Sequence, residues 1–168
     1  MIWHVARDAL ALGPFEVVVV VRPDLPEITG ALGGLPVRCV PNPRYEQGMG
    51  TSLAAGIAAL QSEVEAVIVL LGDMPYVARD VIERLVSASL SERKPVTMPL
   101  YGSEVGPPTI FARQVFPELL RLEGEAGGRQ LIAARPEIAC LVPFREDERP
   151  PDIDTVEDYR RINDSQEA

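Results

Sequence analysis

The chain carries a single histidine, only two cysteines, and no apolar run long enough to cross a bilayer. Each scarcity closes off a class of protein. With His4 as the one imidazole, there is no Ser-His or Cys-His arrangement on which a hydrolase triad could be built. Cys39 and Cys140 lie far apart, each beside apolar neighbours, so they make neither a zinc site nor a disulfide framework and read as buried free thiols. The run at residues 15–21 has the length of a strand, not of the roughly 20 residues a membrane helix requires, so no membrane partner is expected. Basic residues are outnumbered as well. A net charge of -9 argues against a sequence-independent nucleic-acid binder, which needs a basic surface, and suits a protein that holds divalent cations. The first residues, with His4, Arg7 and Asp8, lack the basic start and apolar middle of a secretion signal, so the default expectation is a cytoplasmic location.

What remains is the composition of one globular domain: 168 residues, 46% hydrophobic and 24% charged. Residues 1–163 read as that domain and 164–168 as a frayed tail. Ile2, Val5, Ala6, Ala9 and Leu10 recur at helical spacing until Gly13-Pro14 stops the pattern. A strand at 15–21, a short helix at 26–32 and a strand at 37–40 follow. Leu53, Ile57 and Leu60 mark the buried face of a helix whose start is glycine-rich at Gly48 and Gly50, with Thr51 or Ser52 as its N-cap and Gly56 allowing close approach to the sheet. Val67, Ile68, Val69, Leu70 and Leu71 form an unbroken apolar run, the pattern of a strand buried on both faces. A helix at 81–90, a strand at 95–100, an extended piece at 109–111, helices at 114–122 and 125–134, and a strand at 138–142 complete the alternation. Asp152, Ile153, Asp154 and Thr155 then lead into a last helix capped by Thr155. Strands alternating with helices, without repeats, predict an α/β domain with a mainly parallel sheet.

Two places carry chemistry. In open α/β sheets ligands bind outside the carboxyl ends of the strands, so Asp73, where the apolar run stops, is either aimed at a ligand or caps the turn made by Met74-Pro75 or the next helix. Asp152 and Asp154, at a second strand end, either converge on Asp73 around a cation or form an acidic turn. The turn at Gly48, Gly50, Thr51 and Ser52 offers backbone N–H groups to an anionic or polar ligand, or is a plain helix start. It is neither a P-loop nor a dinucleotide fingerprint. Arg44 and Arg129 adjoin glycine-containing loops and read either as phosphate contacts or as solvated surface cations.

Taken together, GMGTSLAAGI, VLLGDMPYV, GPPTIFARQVFPELLRLEGEAGGRQLI and DIDTVEDYRRI resemble the MobA-like nucleotidyltransferases, and among them the molybdenum cofactor cytidylyltransferase branch, over residues 3–162 in the expected order. The resemblance implies a Rossmann-like three-layer sandwich that transfers CMP from CTP to molybdopterin, releasing pyrophosphate and using Mg²⁺. It implies Asp73 as principal metal ligand and catalytic residue, with Asp154 a second ligand or its support. Gly48, Gly50, Thr51 and Ser52 would line the nucleobase and ribose. Gly106, Pro107, Pro108, Gly127, Gly128 and Arg129 would lie towards the acceptor.

The family pattern begins with a strand and a loop of the form L-A-A-G-x-S-x-R-M-G-x-x-K, whose Arg and Lys neutralise the triphosphate. Here Met1, Ile2, Trp3 and His4 already sit in the helix that follows that loop, so the first strand of the family fold is missing from these residues. Three expectations follow: an inactive truncated form, a non-catalytic molybdenum-cofactor binding or carrier protein, or a strand supplied by a neighbouring subunit in a homodimer. A nucleotidyltransferase for another phosphorylated acceptor is a further alternative within the fold.

Overall fold

The computed structural model describes residues 1–125 and 128–151. The predicted final helix, the 164–168 tail, Asp152, Asp154 and Gly127 lie outside the described residues. The order of elements is α1 (Ile2–Ala11), β1 (Val18–Val21), α2 (Pro26–Ala31), β2 (Arg38–Pro41), α3 (Met49–Ala58), β3 (Ala66–Val69), α4 (Arg79–Glu92), β4 (Val96–Tyr101), β5 (Glu104–Val105), β6 (Thr109–Ala112), α5 (Phe116–Leu119), α6 (Arg129–Ala134) and β7 (Ala139–Phe144). Among the described residues no helix is long and apolar enough to cross a membrane.

The strands form two sheets. β1 and β2 pair in parallel. The other sheet is mixed: β6 runs antiparallel to both β3 and β4, so those two share a direction, and β7 pairs in parallel with β4. β5 adds a short antiparallel extension to β4. The piece expected at 109–111 is therefore the central reversed strand of this sheet. Its Ile110 and Phe111, 5% and 2% exposed, face opposite sides and anchor a different cluster on each.

Side-chain alternation builds three layers. Val96 and Phe111 pack with Ile57 of α3 and with Phe116 and Leu119 of α5. Ile110 and Tyr101 pack with Val81 and Leu85 of α4. Val19 and Val21 of β1 meet Ala6 of α1 and Ile28 of α2. On its other face β1 meets α3, where a Cβ at Gly56 would lie 3.2 Å from Val20 Cγ2. So α3 spans both sheets, and among the described residues no ladder joins β1 to β3. Among those residues each of the two strands is paired along one edge only, β1 with β2 and β3 with β6.

Some boundaries differ from expectation for local reasons. The first strand is shorter at its start, and Phe15 is 67% exposed. The helix expected at 114–122 is a 3-10 turn at Arg113–Val115 followed by the single-turn α5, with Pro117 near its start. The helix expected from 125 begins at Arg129. The two thiols are free and half-buried instead of fully buried, and burial pushes the Cys140 thiol up. Trp3 packs edge-on against His4, whose pKa is lowered chiefly by burial.

Candidate functional site

β3 ends at Val69, and the chain continues through Leu70 and Leu71 to a turn holding Gly72 and Asp73. Asp73 is exposed, while Met74 beside it is 2% exposed and anchors the turn in the core. The Asp73 carboxylate makes no hydrogen bond or ion pair with any described residue, so it does not act as the helix cap that was its alternative reading. Helix α4 instead starts at Arg79, capped by Ala78 without a side-chain bond. Met74 and Pro75 line an apolar recess of about 250 Å³ together with Val5, Ala9 and Leu12.

The glycine-rich start of α3 is more constrained than its sequence suggests. Helix α3 begins at Met49 with Gly48 as N-cap, in place of Thr51 or Ser52. Gly48 has φ +102°, and a Cβ there would lie 2.2 Å from the carbonyl carbon of Gly124, so both backbone conformation and space require glycine. The backbone N–H groups expected to face a ligand are largely engaged: Gly48 donates to Tyr45 O at 3.2 Å, Gly50 to Gly124 O at 2.9 Å, and Thr51 to Gly48 O at 3.2 Å. A cradle built from those amides is therefore replaced by a turn locked against the segment before α6.

Asn42, which follows β2 between two prolines, is the hub of this turn. It is 2% exposed. Its side-chain amide donates to Thr51 Oγ1 at 2.9 Å and to Ser52 Oγ at 3.0 Å, and its oxygen accepts from the Arg44 backbone N–H at 2.9 Å. Thr51 is fully buried, with its hydroxyl 2.9 Å from the carbonyl oxygens of both Arg44 and Gly48. Its side chain shapes the loop from inside, whereas Ser52 is half-buried at the surface of the turn. The Arg44 guanidinium is exposed and, among the described residues, has no hydrogen-bond or ion-pair partner.

Beyond this hub, Arg22 stacks over the Tyr45 ring at 4.2 Å and binds Asp24 at 2.8 Å, and the Tyr45 O–H donates to Asp24 at 3.0 Å. The Arg22 hydrogen bonds hold the Asp24 carboxyl down to about 2, and bonding to Asp24 raises the Tyr45 phenol. This clasp ties the loop after β1 to the turn leading into Gly48.

Of the residues expected towards an acceptor, Gly106 and Pro108 are buried and Pro107 is half-buried, in the loop between β5 and β6. The Pro107–Pro108 peptide is cis. Tyr101 donates to Pro107 O at 3.3 Å, and burial pushes its phenol up to about 12. Gly128 has a packing role: a Cβ there would lie 2.1 Å from Phe111 Cζ. Arg129 donates to Val105 O at 3.3 Å, joining α6 to this loop. Two groups of the expected residues are thus each brought together, Gly48 to Ser52 around Asn42 and Gly106 to Pro108 near Arg129, and Gly124 touches the first of them.

A divalent cation fits Asp73 as an exposed carboxylate with no competing partner among the described residues. No group of three His, Cys, Asp or Glu side chains able to cage a metal occurs among the described residues. Mg²⁺ bound through one carboxylate completes its shell with water and substrate phosphates, which is the donor set such a site leaves open.

A model of the MobA-like NTP transferase domain matches residues 1–139. Nicotine blue oxidoreductase of Paenarthrobacter nicotinovorans is 26% identical over 165 residues, covering 94% of this chain and 79% of that protein. Rv0371c of Mycobacterium tuberculosis H37Rv superposes with a TM-score of 0.80 at 24% identity, covering 96% of this chain and 82% of that one. Its complex with manganese gives 0.74 at 24% identity, covering 96% and 86%. CMP:2-keto-3-deoxy-manno-octonic acid synthetase complexed with CTP gives 0.72 at 17% identity, covering 99% of this chain and 88% of that one. These solved structures share the Rossmann-like α/β fold described above.

Proposed function

Because the chain belongs to the MobA-like NTP transferase domain family, we propose that it transfers CMP from CTP to the phosphate of molybdopterin, releasing pyrophosphate, in the cytoplasm. The observation that carries this reading is Asp73: an exposed carboxylate without a described partner, beyond the end of an apolar strand, on a turn anchored by Met74. An acceptor phosphate oxygen attacks the α-phosphorus, a new P–O bond forms, and the bond to the bridging oxygen breaks as pyrophosphate leaves with its electron pair. Such a transfer needs positioning and charge neutralisation more than a covalent protein intermediate.

Mg²⁺ held by Asp73, with Asp154 as a further ligand or support, would supply that neutralisation. The manganese complex of Rv0371c supports a divalent metal, and the CTP complex of the octonic acid synthetase supports the choice of nucleotide. Ser52, with Gly48 and Gly50 setting its turn and Thr51 bracing it, would border the nucleoside. The loop at Gly106, Pro107 and Pro108 and the Gly128–Arg129 corner would border the acceptor. The N–H groups of Arg129 not engaged by Val105 would meet the acceptor phosphate.

The oxidoreductase among the relatives points to different chemistry. The turn after β1, Arg22-Pro23-Asp24, has no dinucleotide fingerprint, which favours nucleotidyl transfer here. A non-catalytic carrier of molybdenum cofactor and a transferase for another phosphorylated acceptor are the competing readings. The test is incubation with Mg²⁺, molybdopterin and each nucleoside triphosphate in turn, with pyrophosphate as the product measured. Release with CTP above GTP and ATP is expected. Cofactor binding without release would favour the carrier, and release only with a different acceptor would move the substrate.

A further inference from the structure

We propose that Ser52 donates its hydroxyl proton to an acceptor on the nucleoside portion of the bound nucleotide, and that Asn42 is the positioning residue that sets this polarity. The proposal rests on the nucleotidyltransferase reading but adds a residue and a direction of hydrogen bonding to it.

The polarity follows from counting protons. The Arg44 backbone N–H can only donate, so the Asn42 atom 2.9 Å from it is the carbonyl oxygen Oδ1, and the amide nitrogen faces α3. That nitrogen has two protons and meets two oxygens, Thr51 Oγ1 at 2.9 Å and Ser52 Oγ at 3.0 Å. Both hydroxyls therefore accept from Asn42, and each must send its own proton elsewhere.

The two neighbours then diverge. Thr51 directs its proton to the carbonyl oxygens of Arg44 or Gly48, both at 2.9 Å, and is fully buried. Ser52 has no acceptor for its proton among the described residues, and it is half-buried where the turn meets the surface. One hydroxyl is spent within the fold, and the other is a held donor. A ligand atom facing Ser52 must be an acceptor, such as a ribose oxygen, a base carbonyl oxygen or a base-ring nitrogen. Asn42, 2% exposed, touches no ligand and acts through Ser52.

The test compares binding of CTP and of inorganic tripolyphosphate, both with Mg²⁺, by calorimetry. Loss of one ligand hydrogen bond predicts that Ser52→Ala weakens CTP about tenfold and leaves tripolyphosphate unchanged. Asn42→Ala should weaken CTP similarly in the wild-type background and hardly at all in a Ser52→Ala background. A purely structural Asn42 would weaken both ligands, in both backgrounds, in step with a lowered melting temperature. Should Asn42→Ala fail to fold, Ser52→Ala decides the matter alone. Unchanged CTP affinity in Ser52→Ala overturns the proposal, as does an equal loss for tripolyphosphate. If the wild-type chain binds no CTP at all, the nucleotidyltransferase reading fails, and with it the nucleoside partner. Neutron diffraction then still tests the polarity: a Ser52 proton aimed at solvent upholds it, and one aimed at a backbone carbonyl refutes it.

Discussion

Gly48 and Gly124 meet backbone to backbone: a Cβ on Gly48 would lie 2.2 Å from the Gly124 carbonyl carbon, and the Gly50 amide donates to Gly124 O at 2.9 Å. Through this contact the turn that opens α3 and the segment that precedes α6 hold each other in place. The proposed nucleoside border is therefore braced from outside α3, by Gly124.

Gly48→Ala should break that brace. The substitution forces an L side chain to φ +102° and into backbone, and backbone cannot give way as a side chain tip can. A left-handed conformation alone costs about 1–3 kcal/mol. The expected outcome is a melting temperature lower by several degrees together with loss of nucleotide affinity, measured by calorimetry. Unaltered affinity would mean that the Gly48–Gly124 contact is irrelevant to the site.

Much of the frame was legible in the sequence because it depends on local periodicity. The apolar spacing of Ile2, Val5, Ala6 and Ala9 marked α1, and the run from Val67 onward marked β3. The role of Gly56 in helix-to-sheet approach was legible too. Non-local relationships were not. Asn42 looks like a turn residue because the oxygens it serves, on Thr51 and Ser52, are brought to it by the α3 start. Gly128 looks like loop chemistry until Phe111 is seen against it. The reversal of β6 has no mark in its four residues, since an antiparallel strand buried on both faces reads like a parallel one.

Thr97→Val should stabilise the chain. Thr97 is fully buried on β4 and its hydroxyl has no hydrogen-bond partner among the described residues. Replacing an unsatisfied buried hydroxyl with a methyl of the same shape removes a desolvation cost of about 1 kcal/mol or more. Calorimetric unfolding should show a melting temperature about 2–4 °C higher. A lower one would mean that the hydroxyl is satisfied.

Stability should fall in strong alkali because of Tyr101. Burial pushes its phenol up to about 12 in the folded chain, against an ordinary value near 10. The buried neutral phenol contributes fully below pH 10, and the contribution is lost as pH rises through 12, because the unfolded chain ionises first. Denaturant unfolding of the wild type and Tyr101→Phe should therefore converge between these limits. Parallel curves would contradict this assignment.

The edges of β1 and β3 that no described strand pairs predict self-association, since unpaired apolar strand edges recruit partners. Sedimentation at micromolar concentration is expected to give the mass of a homodimer. A single-chain mass would show that these edges are protected within one chain.

The most direct measurement is transfer of labelled phosphate from α-labelled CTP to molybdopterin by the wild type and by Asp73→Asn. Asp73 is exposed and makes no bond to a described residue, so its replacement should leave the melting temperature within about 1 °C, as for ordinary surface changes. The expected result is transfer by the wild type and a fall of at least a hundredfold in the variant, the scale of losing one charge-stabilising group. A folded Asp73→Asn chain that transfers label at a near-normal rate, or a folded wild type that transfers none, would contradict the account.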